Sequence, residues 1–307
     1  MAQQPGQALD LLQRDLAIWR TALAKSATLA MKMAAVGMVE DDVLLISALL
    51  RRPDFTDDLL SAALDSVLRP LTKAERSLYW PIRNEFALEV ARYEALNADG
   101  DLKRKESDSN ERWVAALTGL TKDDFDKVEF PVPANWLAKA PAQKQKTLAL
   151  YAAYSEALMK ASEIPNSPFP RLQDLAQASH RSYLDHFVNP IDNMFASTGA
   201  EPAWKVFADR LQETDARLRL VSLQARLRRP ARETSVPFRI VHAGTAFYDP
   251  FSGIPMLWNA TTGLLYSVGK DGRDNGGDFT TYIAISIGMP VSAPLQPATE
   301  TKRKPKR

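Results

Sequence analysis

Carboxylates and glycines crowd into one short stretch near the end of the chain, Tyr266 to Asp278, reading YSVGKDGRDNGGD. Its thirteen residues include four glycines, three aspartates, one asparagine and one serine. Glycine opens backbone conformations closed to other residues, so this segment can curl tightly. Asp271, Asp274 and Asp278 then bring carboxylates near one another, and crowded carboxylates repel unless a cation neutralises them. The chemistry expected of such a loop is oxygen ligation of a hard cation, calcium above all. The competing expectation is a hairpin in which the same residues serve turn geometry alone.

The flanks predict a small antiparallel β module. Asp249 to Pro255 (DPFSGIP) is rich in turn formers. Met256–Trp258 and Leu264–Val268 read as two short strands around a turn at Asn259–Gly263. Phe279 to Ile287 is β-branched and aromatic and reads as a third strand. The paired signatures DPFSG-P and LYSVGKDGRDNGGD resemble the C-terminal part of the major pseudopilins of bacterial type II secretion. They are also similar to uncharacterised bacterial envelope proteins that join a helical N-terminal region to such a tail. The resemblance covers roughly residues 249–287. It implies a calcium loop on a small sheet, with Ser267, Asp271 and Asp278 at ligand positions. Asp274 is added to that set by the spacing within this chain. The chain departs from the family in having Phe279 and Thr280 after Asp278, and in showing no hydrophobic pilin helix at its start, so it is not expected to polymerise.

The rest of the chain has to position this module. At 307 residues, with 45% hydrophobic and 25% charged residues, it can bury a sizeable core. A net charge of +2 supplies no field for nucleic acid or membranes. The absence of cysteine removes disulfides, thiolate catalysis and cysteine-based zinc sites. No apolar run is long enough to cross a bilayer, and Met1–Pro5 lacks the features of a signal peptide. The resemblance nevertheless implies a place outside the cytoplasm, in the periplasm or anchored to the inner membrane through a segment not present here; the alternative is the cytoplasm.

Apolar periodicity predicts a mainly α fold, a bundle or superhelical stack over residues 1–230, followed by the β module over 231–290 and a disordered basic tail over 291–307. Helices are expected at 7–36, Asp41–Leu50, Leu59–Leu68, 113–120, Ala142–Ser162, Leu172–Phe187 and Pro202–Arg228. Thr72-x-x-Glu75 is a capping-box pattern that should open a long helix, kinked two turns later by Pro81. The aromatic run Leu78–Phe86 is expected to make helix–helix contacts. The charges of the last long helix, Asp215 and Arg219 among them, are expected to face solvent, and Phe238–Val241 should begin the β-rich part. Asn97 to Asn110 reads as a solvated loop; its acidic start lacks the glycine position of an EF-hand. Lys302, Arg303, Lys304, Lys306 and Arg307 would either solubilise the tail or contact anionic lipid.

Enzymatic signals are sparse. His180 and His186 lie six residues apart, off each other's helical face. His242, Asp249 and Ser252 have the residue types of a hydrolytic triad, but no Gly-x-Ser-x-Gly elbow surrounds the serine. Arg83, Glu85 and Glu89 could line a polar pocket, though salt bridges explain them as well. The expected function is a non-enzymatic envelope scaffold that docks a protein partner through its β module. The alternative is a hydrolase or ligand-binding protein with a pocket between the helices and that module.

Overall fold

The computed structural model describes residues 5–66, 68–99, 141–164, 167–170, 175, 200–229, 235–277 and 283–286. The architecture is mainly helical with a three-stranded antiparallel sheet near the C-terminus. In chain order the elements are α1 (Pro5–Lys25), α2 (Leu29–Leu50), α3 (Asp57–Ser66), α4 (Lys73–Arg76), α5 (Tyr79–Asp99), α6 (Pro141–Ser162), α7 (Ala200–Arg228) and α8 (Val236–Val241), then β1 (Leu257–Asn259), β2 (Leu264–Tyr266) and β3 (Ala284–Ser286). The expected helices at 113–120 and 172–187, His180 and His186, most of the loop 97–110, Asp278 and the tail 291–307 lie outside the described residues.

The stripe expected to form one helix over 7–36 is split. α1 ends at Lys25, and Thr28 starts α2 by accepting the Met31 N–H on its hydroxyl. The helix expected from Asp41 therefore begins at Leu29. Two side chains make the break affordable: Ser26 donates to the Ala22 carbonyl at 2.6 Å, and the buried Lys32 ammonium donates to the Leu23 carbonyl at 2.8 Å and to Ala74 at 3.3 Å. They occupy carbonyls that a helix end otherwise leaves unpaired. Burial pushes the Lys32 ammonium down to about 8. Leu9, Leu16 and Leu23 pack against α2, which is apolar on most of its circumference.

The capping box forms as expected: the Thr72 hydroxyl accepts the Glu75 N–H, and Glu75 accepts the Thr72 N–H at 2.6 Å. It opens only four residues, because Ser77 leaves helical geometry. A new helix starts at Tyr79, which puts Pro81 in its first turn, where no N–H is missed, rather than at a kink. Of the aromatic run, Phe86 meets Tyr151 of α6 at 5.5 Å between rings, whereas Trp80 is exposed with Arg83 over its face. Glu75 is held on its other side by Arg20, which donates from Nε at 2.8 Å and Nη2 at 2.9 Å. Burial opposes this carboxylate's charge, but the Thr72 N–H, Arg20 and the Thr72 hydroxyl together keep it below its ordinary range.

α7 is the central element. From Thr214 to Ala225 it is buried on nearly every side, packing against α2, α3, β2 and β3. Its charges do not simply face solvent: Asp215 is 0% exposed, and Glu40 of α2 accepts from Thr214 at 2.8 Å and pairs with Arg210 and Arg217. Gln224 binds α2 and the sheet to α7, accepting from the Ser47 hydroxyl at 2.8 Å and donating to the Ser286 carbonyl at 3.0 Å. Leu265, Ile285 and Met256 join the same apolar core as the helices. The segment expected to begin the sheet, Phe238–Val241, is instead the helix α8. Pro237 fits its first turn, Ile240 is buried, and Arg239 donates to the carbonyls of Arg226, Leu227 and Arg229 at the end of α7.

One buried carboxylate has no such compensation. Asp42 of α2 is 4% exposed, and its Oδ2 has no hydrogen-bond partner among the described residues. Burial, with help from Asp15 of α1 and the adjacent Asp41, pushes its carboxyl up to about 6. The folded value lies above the ordinary 3.8, so the stabilising contribution of the neutral acid is complete below about 3.8 and is lost as pH rises to about 6. Asp42→Asn should therefore raise the urea midpoint at neutral pH, and that gain should shrink as pH falls towards 4 (about the ordinary carboxylate value). A gain that is constant with pH would show that this carboxyl does not titrate in that range.

Candidate functional site

The Gly/Asp loop has turn geometry throughout its described part. Ser267 is fully buried, and its hydroxyl accepts the Gly269 N–H at 3.0 Å. Asp271 accepts the Arg273 N–H at 3.1 Å. Asp274 accepts the Tyr266 hydroxyl at 2.8 Å and the Gly276 N–H at 3.0 Å. These are short local loops of the Asx type. Burial first, and then Asp274, push the Tyr266 hydroxyl up to about 12, so it is a donor at any physiological pH. Gly277 holds φ at +83°, and a Cβ there would stand 3.0 Å from the Tyr266 ring. Among the described residues no group of three or more His, Asp or Glu side chains is placed to hold a metal ion. Asp278, the fourth expected ligand, is outside them.

The residue that organises the module is Asp249. It is 1% exposed; Oδ1 accepts the Phe251 N–H at 2.9 Å and Oδ2 the Val268 N–H at 2.8 Å. Its own N–H donates to Ile254, and its carbonyl accepts from Gly253, each at 2.8 Å. One side chain thus closes the DPFSG turn and ties it to the strand end before the Gly/Asp loop. The hairpin beyond pairs Trp258 with Leu265 and turns on Asn259, whose side chain accepts the Thr261 and Thr262 N–H groups.

The candidate triad is not assembled. His242 hydrogen-bonds through Nδ1 with the Phe238 carbonyl at 2.8 Å and stacks on the Phe238 ring at 3.7 Å. Both oxygens of Asp249 are occupied as described, and the Ser252 hydroxyl accepts the Ile254 N–H at 3.4 Å. Arg83 and Glu85 do not line the cleft described next, and the Glu89 side chain lies outside the described residues.

A cleft of about 760 Å³ opens where the helices meet the β module. α4 contributes Lys73 and Arg76, the end of α6 Glu163 and Ile164, and α7 Lys205, Asp209, Gln212, Asp215 and Arg219. The module contributes Tyr248 to Phe251 and the Gly269–Gly272 turn with Lys270. Leu78, Ile164, Phe169 and Phe251 supply apolar wall between the charges. Gln212 donates to the Pro250 carbonyl at 2.8 Å and Arg219 to the Tyr248 carbonyl at 2.7 Å, so the two sides are fastened along one edge.

Most of the charge in the cleft is matched within it. Lys73 pairs with Glu163 at 2.7 Å and Lys205 with Asp209 at 2.8 Å. Asp215 takes the Leu71 N–H on Oδ1 at 2.6 Å and Arg219 on Oδ2 at 2.7 Å, with Arg76 farther away at 3.4 Å. The alternative expectation put a pocket between the helices and the β module, where this cleft lies; its lining from α4, α6 and α7 was not foreseen, because its walls come from four distant stretches, with the turn-rich DPFSG segment the one local cue. No family model, curated protein or solved structure matches the chain.

Asp249→Ala should destabilise the fold by about 3 kcal/mol, since it removes two charge-assisted bonds and leaves the buried Val268 N–H and the half-buried Phe251 N–H unpaired. Hydrogen exchange at Phe251 and Val268 should accelerate before exchange in α7 does. Unchanged protection at both amides would show that Asp249 does not hold the module together.

Proposed function

We propose that this chain is a non-enzymatic interaction protein of the bacterial envelope, a helical scaffold that receives a segment of a protein partner in the cleft between its helices and its β module. The observation that carries this reading is the composition of the cleft: apolar patches alternate with charges already paired to one another. Such a lining gives up little on contact with a partly apolar chain, whereas catalysis needs an acid, base or nucleophile free to act. The envelope location rests on the resemblance of residues 249–287 to the pseudopilin tail.

A photo-crosslinking residue placed at Ile164 or Phe251 should give a discrete adduct in envelope extracts, whereas one at Leu44, exposed on α2, should not. Equal labelling from all three positions would remove the cleft as the docking site. The same cleft also suits a second reading, a small-molecule-binding protein, which predicts adducts with no added protein mass.

Calcium at the Gly/Asp loop belongs to this reading through the resemblance, with Ser267, Asp271, Asp274 and Asp278 as its ligands. Calcium should raise the melting temperature, and both Asp271→Ala and Asp278→Ala should abolish the rise. No rise, or one that survives both substitutions, leaves the loop as a turn without a metal.

A further inference from the structure

Among the described residues lining the cleft, Arg76 is a guanidinium held by a single long ion-pair contact, and this defines a ligand class. We propose that the cleft selects a carboxylate carried on an apolar stem, an acidic side chain or chain end of a bound peptide, with Arg76 as the group that receives it. This rests on the reading of the cleft as a binding site and specifies what it binds.

Two guanidiniums face the single carboxylate of Asp215. Arg219 takes it with two donors, Nη2 at 2.7 Å and Nε at 3.1 Å, and Leu71 N–H occupies the other oxygen. Arg76 is left with a single long contact at 3.4 Å. Asp215 thus has its acceptors filled, while Arg76, 37% exposed, keeps most of its fork of N–H donors for another acceptor. Its backbone is fixed, because α4 is pinned at its start by the capping box and at its end by the Ser77 N–H bonded to the Lys73 carbonyl. Lys270 adds a second cation from the module side; its charge also acts on Glu213 of α7. The carboxylates that could repel an anion are committed: Glu163 to Lys73 and Ser77, Asp209 to Lys205, and Asp249 to two backbone N–H groups.

An arginine fork matches a planar carboxylate with two parallel hydrogen bonds. The walls beside it exclude a bare, fully hydrated anion as the preferred guest. Leu78 is buried behind Arg76, and Ile164, 60% exposed, stands on the same cleft with Phe169 and Phe251. An apolar stem buries surface there while its carboxylate reaches the guanidinium.

The test is an amide-resolved NMR titration of the full chain with 3-phenylpropionate, with its neutral analogue 3-phenylpropanamide, and with inorganic phosphate. Saturable shifts at Gly269, Gly272 and the Gln212 side chain should report binding of the acid about tenfold or more tighter than the amide. Arg76→Gln should erase that preference, and Lys270→Gln, at an exposed position, should weaken acid binding about threefold. Melting curves of both variants show whether each is folded; if Arg76→Gln is not, the acid-to-amide ratio on the unaltered chain decides alone. Equal affinity for acid and amide overturns carboxylate selection but leaves the cleft as a binding site. Phosphate binding as tightly as the acid overturns the role of the apolar stem, and no shift from any probe overturns the proposal. Cross-linking of a partner at Ile164 and Phe251 is a separate result, so failure here and failure of the docking reading can be told apart.

Discussion

A carboxylate with no access to water has to be compensated where it lies, and Asp215 lies fully buried in the middle of α7. Two groups compensate it closely, the Leu71 N–H just before α4 and Arg219 one turn along α7, and Arg76 at the end of α4 adds a longer contact at 3.4 Å. Taking one partner from a buried charge of this kind costs about 3–5 kcal/mol, so the position of residues 71–76 against α7 is fixed tightly. Arg219 carries the constraint onward, because its Nη1 donates to the Tyr248 carbonyl at the start of the β module. The second buried pair, Arg20 with Glu75, grips α4 from the opposite side and anchors it to α1. Four helical residues are thereby clamped between two ionic centres, and the rest of the helical packing is arranged around that clamp.

The cleft follows from the same arrangement. Beside α7, Lys73 and Arg76 of α4 and Lys270 of the module line the opening, while Gln212 and Arg219 of α7 fasten the module along one edge. Elsewhere the module packs onto α7 through Leu265 and Ile285 and the Gln224 side chain. The Gly/Asp loop contributes to the cleft mainly as a rim. Its shape is set from within, by Asp274 on Tyr266 and by glycines at positive φ, while Asp249 fixes where it starts.

Features encoded by neighbouring residues were legible in the sequence. Thr72 and Glu75 are three residues apart, and their capping box formed; Asn259 and Gly263 frame a hairpin that formed as well. The mainly helical class and the small sheet follow from apolar period and turn chemistry. What failed was decided at a distance. The break at Ser26–Thr28 falls inside an unbroken apolar stripe, and Ser26 and Lys32, reaching back to the Ala22 and Leu23 carbonyls, cap it. Phe238–Val241 has the β-branched and aromatic character of a strand, yet Arg239 binding the carbonyls of α7 settles it as helix. Asp215 looks like any solvent-facing acid of a charged helix, because the groups that bury it lie 139 and 144 residues away. The lining of the cleft is scattered over distant stretches for the same reason, with the DPFSG segment its one local cue.

α1 and α2 show what happens where a buried charge is only half answered. At the turn end, Lys32 finds two carbonyls and closes the hairpin. Farther along, Asp42 keeps one oxygen without a partner, and the nearby Asp15 and Asp41 carry the same sign. Gln13 Nε2 and Trp19 Nε1 of α1 are also buried without partners. Each such group costs about 1–3 kcal/mol relative to a satisfied one. The burial of Leu9, Leu16 and Leu23 offsets costs of this size, since fully burying one leucine contributes about 1.5–3 kcal/mol. The polar deficit is not confined to this hairpin, because the Ser222 hydroxyl of the central helix α7 is also buried without a hydrogen-bond partner among the described residues. Local opening is easiest where polar groups are left unanswered, but Arg20 of α1 grips Glu75 of α4 and Glu40 of α2 pairs with Arg210 and Arg217 of α7, so the hairpin cannot loosen without disturbing the elements that line the cleft.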